Sequence, residues 1–340
     1  MGALAKTRAT LLDVARRLDP NGSIGVIAEI LQEYNDILED IPWQQGNLPT
    51  GHQFNIRTSK PTPTFRLLNQ GVVPAKSTTG QIVEGCAILE NRSEIDINVA
   101  KLGGQEKAFR LSEDTAFIQG LSDMLADTLI YGDISSDPEQ FNGLASRYYS
   151  LSGETTSAQV ITAGGSGSDN TSIWLVGWAP EKVFGIFPKG SKAGLQYEDL
   201  GIQDVLTNAT TGAKMRAFVS WYQWMCGIAI KDYRCVVRIA NIDVSDLATA
   251  SDSTDTSANI LKYMSKALDY LPPDANIRPV FYMNKTTRSM LRVKLMDKSN
   301  IHLSVQDVVG ASGISRKELQ FMGVPCRRVD SILNAESALT

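Results

Sequence analysis

The 340-residue sequence predicts an α+β protein that carries an extended arm, and three patterns support this prediction. Apolar residues recur at three-to-four-residue spacing in the first forty residues and again at about 104–131, as in amphipathic helices. Between these stretches lies a polar segment flanked by alternating apolar and polar runs, which favours strands. Beyond residue 170, runs of strand length are mixed with helical ones.

Composition limits the class of protein. The chain is 43% hydrophobic and 21% charged, which is enough to bury a large core and excludes a wholly disordered chain. Its formal net charge of −4 excludes a protein that binds nucleic acid through general basicity. We find no run of about 18 apolar residues and no secretion signal at residues 1–8, so we expect no membrane partner and a protein that is made and stays in a reducing cytoplasm.

Residues 1–43 are predicted to form an N-terminal helical arm. A first helix ends at the Asp-Pro-Asn-Gly sequence of residues 19–22, and Ser23 is placed to cap a second one. The second helix ends at the Ile-Pro-Trp sequence of residues 41–43. Its apolar stripe consists of Ile27, Ile30, Leu31, Tyr34, Ile37 and Leu38.

Residues 44–100 are predicted to form a long two-stranded arm with a wide loop. The stretch 44–83 contains no Asp or Glu, and alternating runs at 52–57 and 94–99 flank it and are expected to pair. A two-stranded arm cannot bury both of its faces, so it must lie on another surface. Its positive charges are Arg57, Lys60, Arg66 and Lys76.

Residues 101–155 are predicted to hold a long helix and a tight turn. The helix, at about 104–131, would have about 27 residues and a length of about 40 Å. Its apolar stripe consists of Phe117, Ile118, Leu121, Met124, Leu125 and Leu129, and the acids that lie off this stripe include Glu113, Asp114, Asp123 and Asp127.

Residues 156–340 are predicted to form a mixed α/β lobe. Its first residues belong to a polar, flexible linker at 151–170, and the regular elements lie beyond that linker. The expected strands are 172–177, 183–187, 217–224, 235–239 and 279–283, and the expected helices are 258–270 and 286–294.

The sequence offers little for catalysis or for holding a cofactor or metal. It has only two His residues, His52 and His302, and four widely spaced Cys residues. The Gly-rich stretch 164–168 has no Lys to contact a phosphate. Four tryptophans, Trp174, Trp178, Trp221 and Trp224, could stack on sugars or bases, but their apolar neighbours favour core packing. We therefore predict no enzyme, cofactor or metal site.

Charge is distributed unevenly along the chain. The acid-free arm is positive and the long helix is acidic, so the two could meet within one chain, meet between copies, or remain separately solvated. A basic cluster further along could face DNA through non-specific phosphate contacts or be a solvated helix face. Its members are Lys285, Arg288, Arg292, Lys294 and Lys298.

The order of these parts, together with several short strings, resembles the major capsid proteins of tailed double-stranded DNA phages, in particular the branch found in short-tailed phages. The strings are Ile-Pro-Trp at 41–43, Leu-Ile-Tyr-Gly-Asp at 129–133, Phe-Asn-Gly-Leu-Ala-Ser-Arg-Tyr at 141–148, Thr-Ser-Ile-Trp-Leu at 171–175, Phe-Pro-Lys-Gly-Ser at 187–191, Arg-Ile-Ala-Asn-Ile at 238–242 and Phe-Met-Gly-Val-Pro at 321–325.

The resemblance implies an HK97-like capsid fold with an N-arm, an E-loop hairpin, a P-domain with a spine helix, and an A-domain. It also implies a non-catalytic protein whose copies form the pentamers and hexamers of an icosahedral phage head around DNA. The expected partners are further copies, scaffolding and portal proteins, a decoration protein and packaged DNA. In the N-arm, the residues expected to make inner or inter-subunit contacts are Lys6, Arg8, Arg16 and Arg17.

Two alternatives remain open at the level of sequence. An encapsulin-like compartment would share the fold but would enclose protein cargo. A monomeric carbohydrate-binding or hydrolytic protein would bind a small ligand and would not assemble.

Overall fold

The computed structural model describes residues 35–102, 106–208, 210–248, 259–274, 276–295, 303–309 and 315–340. The predicted N-terminal helices therefore lie outside the described residues, apart from the last turn. In the described part, the helices are α1 (Ile37–Asp40), α2 (Ile97–Lys101), α3 (Glu106–Tyr131), α4 (Ile260–Tyr270) and α5 (Lys285–Leu295). The strands are β1 (Trp43–Gln45), β2 (Gly51–Ser59), β3 (Thr78–Gly85), β4 (Ala87–Asp96), β5 (Val160–Thr162), β6 (Asn170–Trp178), β7 (Val183–Phe187), β8 (Gln196–Asn208), β9 (Ala213–Ile230), β10 (Val236–Asp243), β11 (Arg278–Met283), β12 (Leu303–Val309), β13 (Ser315–Phe321) and β14 (Val324–Arg328).

The extended arm is an antiparallel hairpin of β2 and β3, which we call the hairpin arm. Its register runs from Gly51 opposite Gly85 to Arg57 opposite Thr79. At its base the two strands approach so closely that a Cβ on Gly51 would lie 1.9 Å from the Glu84 carbonyl oxygen. Only glycine fits this position without a shift of the backbone.

The predicted pairing of residues 52–57 with residues 94–99 was wrong. Residues 94–96 belong to β4, which pairs with β9, and residue 97 begins α2. The alternation at 94–99 has a different cause, because Ile95 is buried against Phe109 and Phe218. Alternation indicates that one face of a strand is buried, but it carries no information about which strand lies beside it.

A five-stranded sheet is built around the 18-residue strand β9. The path through the sheet is β1, β7, β9 and β4, and β8 pairs with the first half of β9. The β8 and β9 strands form a second long hairpin that the sequence analysis did not predict. Its first strand is rich in polar residues, so its alternation is weak.

A seven-stranded sheet in the order β12, β13, β14, β11, β6, β10, β5 completes the body. Every residue of its interior strand β6 is buried, and its side chains alternate between two cores. Trp174 and Val176 face the core that contains the long helix α3, whereas Ile173 and Leu175 face the core that contains α4 and part of α5.

The long helix α3, called the spine helix below, confirms the predicted helix from residue 106 onward. Leu121, Leu125 and Leu129 of the predicted stripe are buried. Two other stripe residues, Ile118 and Met124, are 40% and 44% exposed. The predicted tight turn follows directly, and the Gly143 N–H donates to the Gly132 carbonyl oxygen at 2.8 Å.

The strands and helices predicted in the second half are confirmed as β6, β7, β9, β10, β11, α4 and α5. The linker prediction was partly wrong, because 155–159 form a 3-10 helix and β5 follows it. Trp174 and Trp178 are buried as predicted, whereas Trp221 and Trp224 are only half-buried. Of the four free cysteines, Cys226, Cys235 and Cys326 are buried and Cys86 is half-buried.

Candidate assembly surfaces

The hairpin arm is anchored at its base by an ion pair. Arg147 donates from both terminal nitrogens to the Glu84 carboxylate, at 2.6 and 2.7 Å. The same guanidinium also donates to the Asn142 carbonyl oxygen. A two-pronged contact of this kind fixes direction as well as distance, so it sets the angle at which the arm leaves the body.

His52 lies at the same base and was predicted to be a solvated side chain. It is half-buried instead, and its ring packs edge-on against Phe184 with 5.6 Å between ring centroids. Burial lowers the pKa of His52, and the nearby Lys231 lowers it further. We therefore assign His52 to the packing of the arm on the body.

The loop at the end of the hairpin arm is fully exposed from residue 60 to residue 77. It holds five large apolar side chains that are at least half exposed, which is unusual for a lone folded chain. These are Phe65, Leu67, Leu68, Val72 and Val73.

The four predicted cations of the hairpin arm are all exposed. Arg57 lies in β2, whereas Lys60, Arg66 and Lys76 lie in the loop. The structure therefore spreads positive charge along the outer half of the arm. Of the four, Arg66 donates to the carbonyl oxygen of Gln70 at 3.0 Å.

The predicted acids of the spine helix do not share one face. With about 100° of rotation per residue, Glu113, Asp123 and Asp127 fall within one third of the helix circumference. Asp114 points toward the sheet instead, where it interacts with Tyr222. The pKa of Tyr222 is raised mainly by burial and, as the next largest cause, by the nearby Asp114 carboxylate. Asp127 is exposed, whereas Asp123 accepts hydrogen bonds from Gln119 at 2.8 Å and Asn35 at 3.3 Å.

A groove with a volume of about 970 Å³ lies between the hairpin arm and the body. Arg57 and Lys60 line its arm side. On the body side, Lys231 pairs with Glu181 at 3.2 Å, and Lys182 and Arg234 pair with Asp232. The groove is lined by more cations than acids, so a negatively charged surface would fit it.

A smaller pocket of about 120 Å³ opens beside the spine helix. Its walls come from β4, from the spine helix and from the turn at 137–141. The lining residues Leu125, Phe141 and Cys226 are buried, whereas Ile88 and Met124 are 58% and 44% exposed. We call it the spine pocket.

The predicted basic cluster is divided by the rotation of α5. Lys285, Arg288 and Arg292 are spaced three and four residues apart and share a face. Lys294 is only 7% exposed and lies about half a turn away, and Lys298 is outside the described residues. Burial, followed by repulsion from Arg292, lowers the pKa of Arg288.

Two buried ionic networks were missed by the sequence analysis. In the first, Glu336 accepts hydrogen bonds from Tyr131 at 2.5 Å, from Arg238 at 2.9 Å and from Ser172. Glu336 lies in none of the strings that carried the resemblance, but Tyr131, Ser172 and Arg238 each lie in a different one. Those strings were the available signal, although their common role could not be inferred without coordinates.

The second network joins α1 to the seven-stranded sheet. Asp40 accepts a hydrogen bond from Tyr282 at 2.8 Å and forms ion pairs with Arg278 at 3.0 Å and Arg327 at 3.2 Å. Burial raises the pKa of Asp40, although Tyr282 and both arginines act in the opposite direction. Nothing in the sequence distinguishes Asp40 from the other acids of its segment.

The described part of the chain contains neither a metal-binding cluster nor a membrane-spanning helix. No group of three or more His, Cys, Asp and Glu residues there could hold a metal ion. No helix there is both long enough and apolar enough to cross a membrane. The four N-arm cations predicted to make contacts, Lys6, Arg8, Arg16 and Arg17, lie outside the described residues.

Comparison with known proteins gives a consistent set of matches. A family model described as major capsid protein GP7 matches residues 19–340. A chain of bacteriophage Epsilon15 is 31% identical, with a TM-score of 0.79 and full coverage of both chains. The capsid of bacteriophage JBD30 is 10% identical, with a TM-score of 0.44 over 92% of this chain and 93% of that one. An encapsulin from Synechococcus elongatus is 8% identical, with a TM-score of 0.44 over 65% and 92%. No curated protein sequence matches.

Proposed function

The chain belongs to the major capsid protein GP7 family, and from this premise we propose that its copies build the pentamers and hexamers of an icosahedral head around double-stranded DNA. The resemblance to the capsid proteins of short-tailed phages and the HK97-like capsid fold are confirmed. Family membership makes the chain a structural shell protein of the virion, and the encapsulin-like alternative has only a distant structural neighbour. Family membership favours this structural role over the monomeric hydrolytic or carbohydrate-binding alternative.

We propose that the hairpin arm acts as the E-loop and lies across the spine helix of the next copy. The observation that carries this proposal is the exposed end of the arm, whose apolar and positively charged side chains are not covered by any described residue of their own chain. Arg57, Lys60, Arg66 and Lys76 would face Glu113, Asp123 and Asp127 of the neighbour. Asp114 takes no part in this contact, because it is turned toward its own sheet.

The remaining assignments are also proposals. The N-arm (1–43), the arm segment (44–100), the P-domain segment (101–155) and the A-domain segment (156–340) are the proposed divisions, with strands of the later segments returning to the P-domain. Scaffolding, portal and decoration proteins are proposed partners, and assembly is proposed to take place in the host cytoplasm. The A-domain helix α5 would turn Lys285, Arg288 and Arg292 toward packaged DNA, and an outward-facing α5 in an assembled particle would contradict this.

Reversal of two arm charges tests the proposed contact. In the double variant Arg57→Glu, Lys60→Glu, the arm would repel the acidic helix, so we expect at least about a tenfold loss of assembled particles by sedimentation. The fold should be unchanged, because both side chains are exposed.

The matched control reverses two exposed cations elsewhere, Lys189→Glu and Lys192→Glu. Particle yield should stay near that of the parent. Normal shells from the Arg57→Glu, Lys60→Glu variant, or an equal loss from both variants, would contradict the charge pairing.

A further inference from the structure

The end of the hairpin arm is organised to present one apolar side chain. The Gln70 N–H donates to the Leu67 carbonyl oxygen at 3.2 Å, and Arg66 donates to the Gln70 carbonyl oxygen at 3.0 Å. Asn69 has a φ of 65°, in the left-handed region that asparagine tolerates better than most residues. These contacts close a turn with Leu68 at its apex, where it is 90% exposed.

A closed turn is a better binding element than a flexible loop. Its backbone is already ordered, so docking costs less conformational entropy. Of the other large apolar side chains of the loop, Leu67 begins this turn and is 70% exposed, whereas Phe65 and Val73 lie outside it. Leu68 is therefore the most exposed apolar side chain that the closed turn holds.

The spine pocket has the size and lining to receive such a side chain. Its volume is about 120 Å³, and apolar cavities of roughly 150 Å³ bind groups as large as benzene. Leu125, Phe141 and Cys226 provide a buried apolar lining, and Ile88 and Met124 give access from the surface. Filling a pocket of this kind with a leucine side chain is more favourable in free energy than filling it with water.

The charges around the pocket and around the turn are opposite. Asp137 and Glu139 line the pocket, and Asp127 lies one helical turn beyond Met124. The turn carries Arg66, and the same loop carries Lys60 and Lys76. One surface is apolar with an acidic rim and the other is apolar with basic neighbours, so the two match in chemistry.

We propose that Leu68 of one copy inserts into the spine pocket of a second copy, with Asp137 and Glu139 facing the cations of the inserted loop. Each copy carries both surfaces, so the contact is head-to-tail and can close into a ring. The inference rests on the proposed function and adds the receiving site. The acidic helix face alone would orient the arm, whereas the pocket would fix its end.

Cross-linking tests the contact directly. We would prepare particles of the double variant Leu68→Cys, Glu139→Cys in a Cys226→Ser background, which the control shares because the native Cys226 thiol lines the pocket and could itself react with a cysteine at position 68. The particles would be oxidised and the products separated on a denaturing, non-reducing gel. We expect a ladder of covalent multimers that disappears on reduction. The control pair is Leu68→Cys, Leu206→Cys, because Leu206 is 48% exposed on β8 and lines no part of the pocket. Particles without the ladder, or equal ladders from both pairs, would overturn the proposal.

A second measurement covers the case in which the cysteine variant does not assemble. We expect Leu68→Asp to raise the critical concentration for assembly by at least about tenfold. Val73, in the same loop, is 85% exposed, and we expect the increase caused by Val73→Asp to be smaller by a factor of at least about three. Equal effects would contradict a specific role for Leu68. If the unmodified chain forms no particles, either alone or with candidate scaffolding and portal proteins, the proposed function itself fails. If it forms particles and only these comparisons fail, the pocket assignment alone is wrong.

Discussion

Glu336 is a buried carboxylate that contacts three elements of the body. Its carboxylate accepts from the end of the spine helix at Tyr131, from β6 at Ser172 and from β10 at Arg238. Arg238 is also buried, and its other terminal nitrogen donates to the Tyr148 carbonyl oxygen at 2.9 Å. One side chain near the end of the chain thus holds three elements in register.

Removal of this charge should be costly. In Glu336→Ala, Arg238 would keep a buried charge without its partner, so we expect a loss of about 3–5 kcal/mol in the free energy of unfolding. Chemical denaturation of the unassembled chain measures this loss.

The matched control is the exposed pair of Arg216 and Asp204, whose side chains are 72% and 65% exposed. Asp204→Ala should cost less than about 1 kcal/mol. Equal losses from the two variants would show that the Glu336 network adds no more stability than a surface ion pair.

Residue types and spacing predicted which side chains are apolar, charged or aromatic, but not where each of them points. Trp174 was correctly predicted to be buried, because both of its neighbours in β6 are apolar. Lys294 was grouped with Arg292. Residues two positions apart on a helix lie on nearly opposite sides, however, and Lys294 is buried. Asp114 was grouped with Glu113, Asp123 and Asp127, but its position on the helix also turns it away from their face. Rotation about a helix axis depends on which neighbour the helix packs against.

At the scale of elements, the spine helix was predictable because its apolar stripe continues over many turns. Its first described turns contact Phe218 and Ile95 of the five-stranded sheet through Phe109, and its last turns enter the main core through Leu125 and Leu129. Pairing of the hairpin arm was not predictable in the same way. β3 is rich in Gly, Thr and Gln, so it shows little alternation, whereas the apolar pattern of 94–99 drew the prediction to the wrong strand.

Burial of the spine helix can be tested by truncating one leucine. Leu129 is fully buried, so Leu129→Ala should lower the free energy of unfolding by about 2–5 kcal/mol through lost contacts and a cavity. Thermal denaturation measures the effect.

Leu111, on the same helix and 68% exposed, supplies the control. Leu111→Ala should change stability by less than about 0.5 kcal/mol, since both residues are leucine in the same helix and differ only in burial. A small effect at Leu129 would mean that the C-terminal half of the helix is not packed as described.

At the scale of the molecule, the arrangement of the two sheets could not be derived from the sequence. Strands from residues 43–45, 87–96 and 183–230 meet in one sheet, and strands from residues 160–178, 236–243 and 278–328 meet in the other. Such long-range pairings leave no local pattern. The family resemblance indicated the fold where periodicity could not, since it depends on the order of parts along the whole chain.

Assembly into a shell would make an arm with an apolar end tolerable. An isolated chain would expose that end, whereas a shell would cover it in every copy. Many weak contacts repeated around a closed ring give a stable particle even when a single contact does not. Assembly is therefore the property on which the rest of the account depends.

The most direct test is electron microscopy of the purified chain, expressed alone and together with candidate scaffolding and portal proteins, with sedimentation to measure the fraction in large particles. The account predicts closed shells or rings of five or six copies in at least one of these preparations, with each hairpin arm lying across its neighbour. A chain that stays monomeric in every preparation would contradict it.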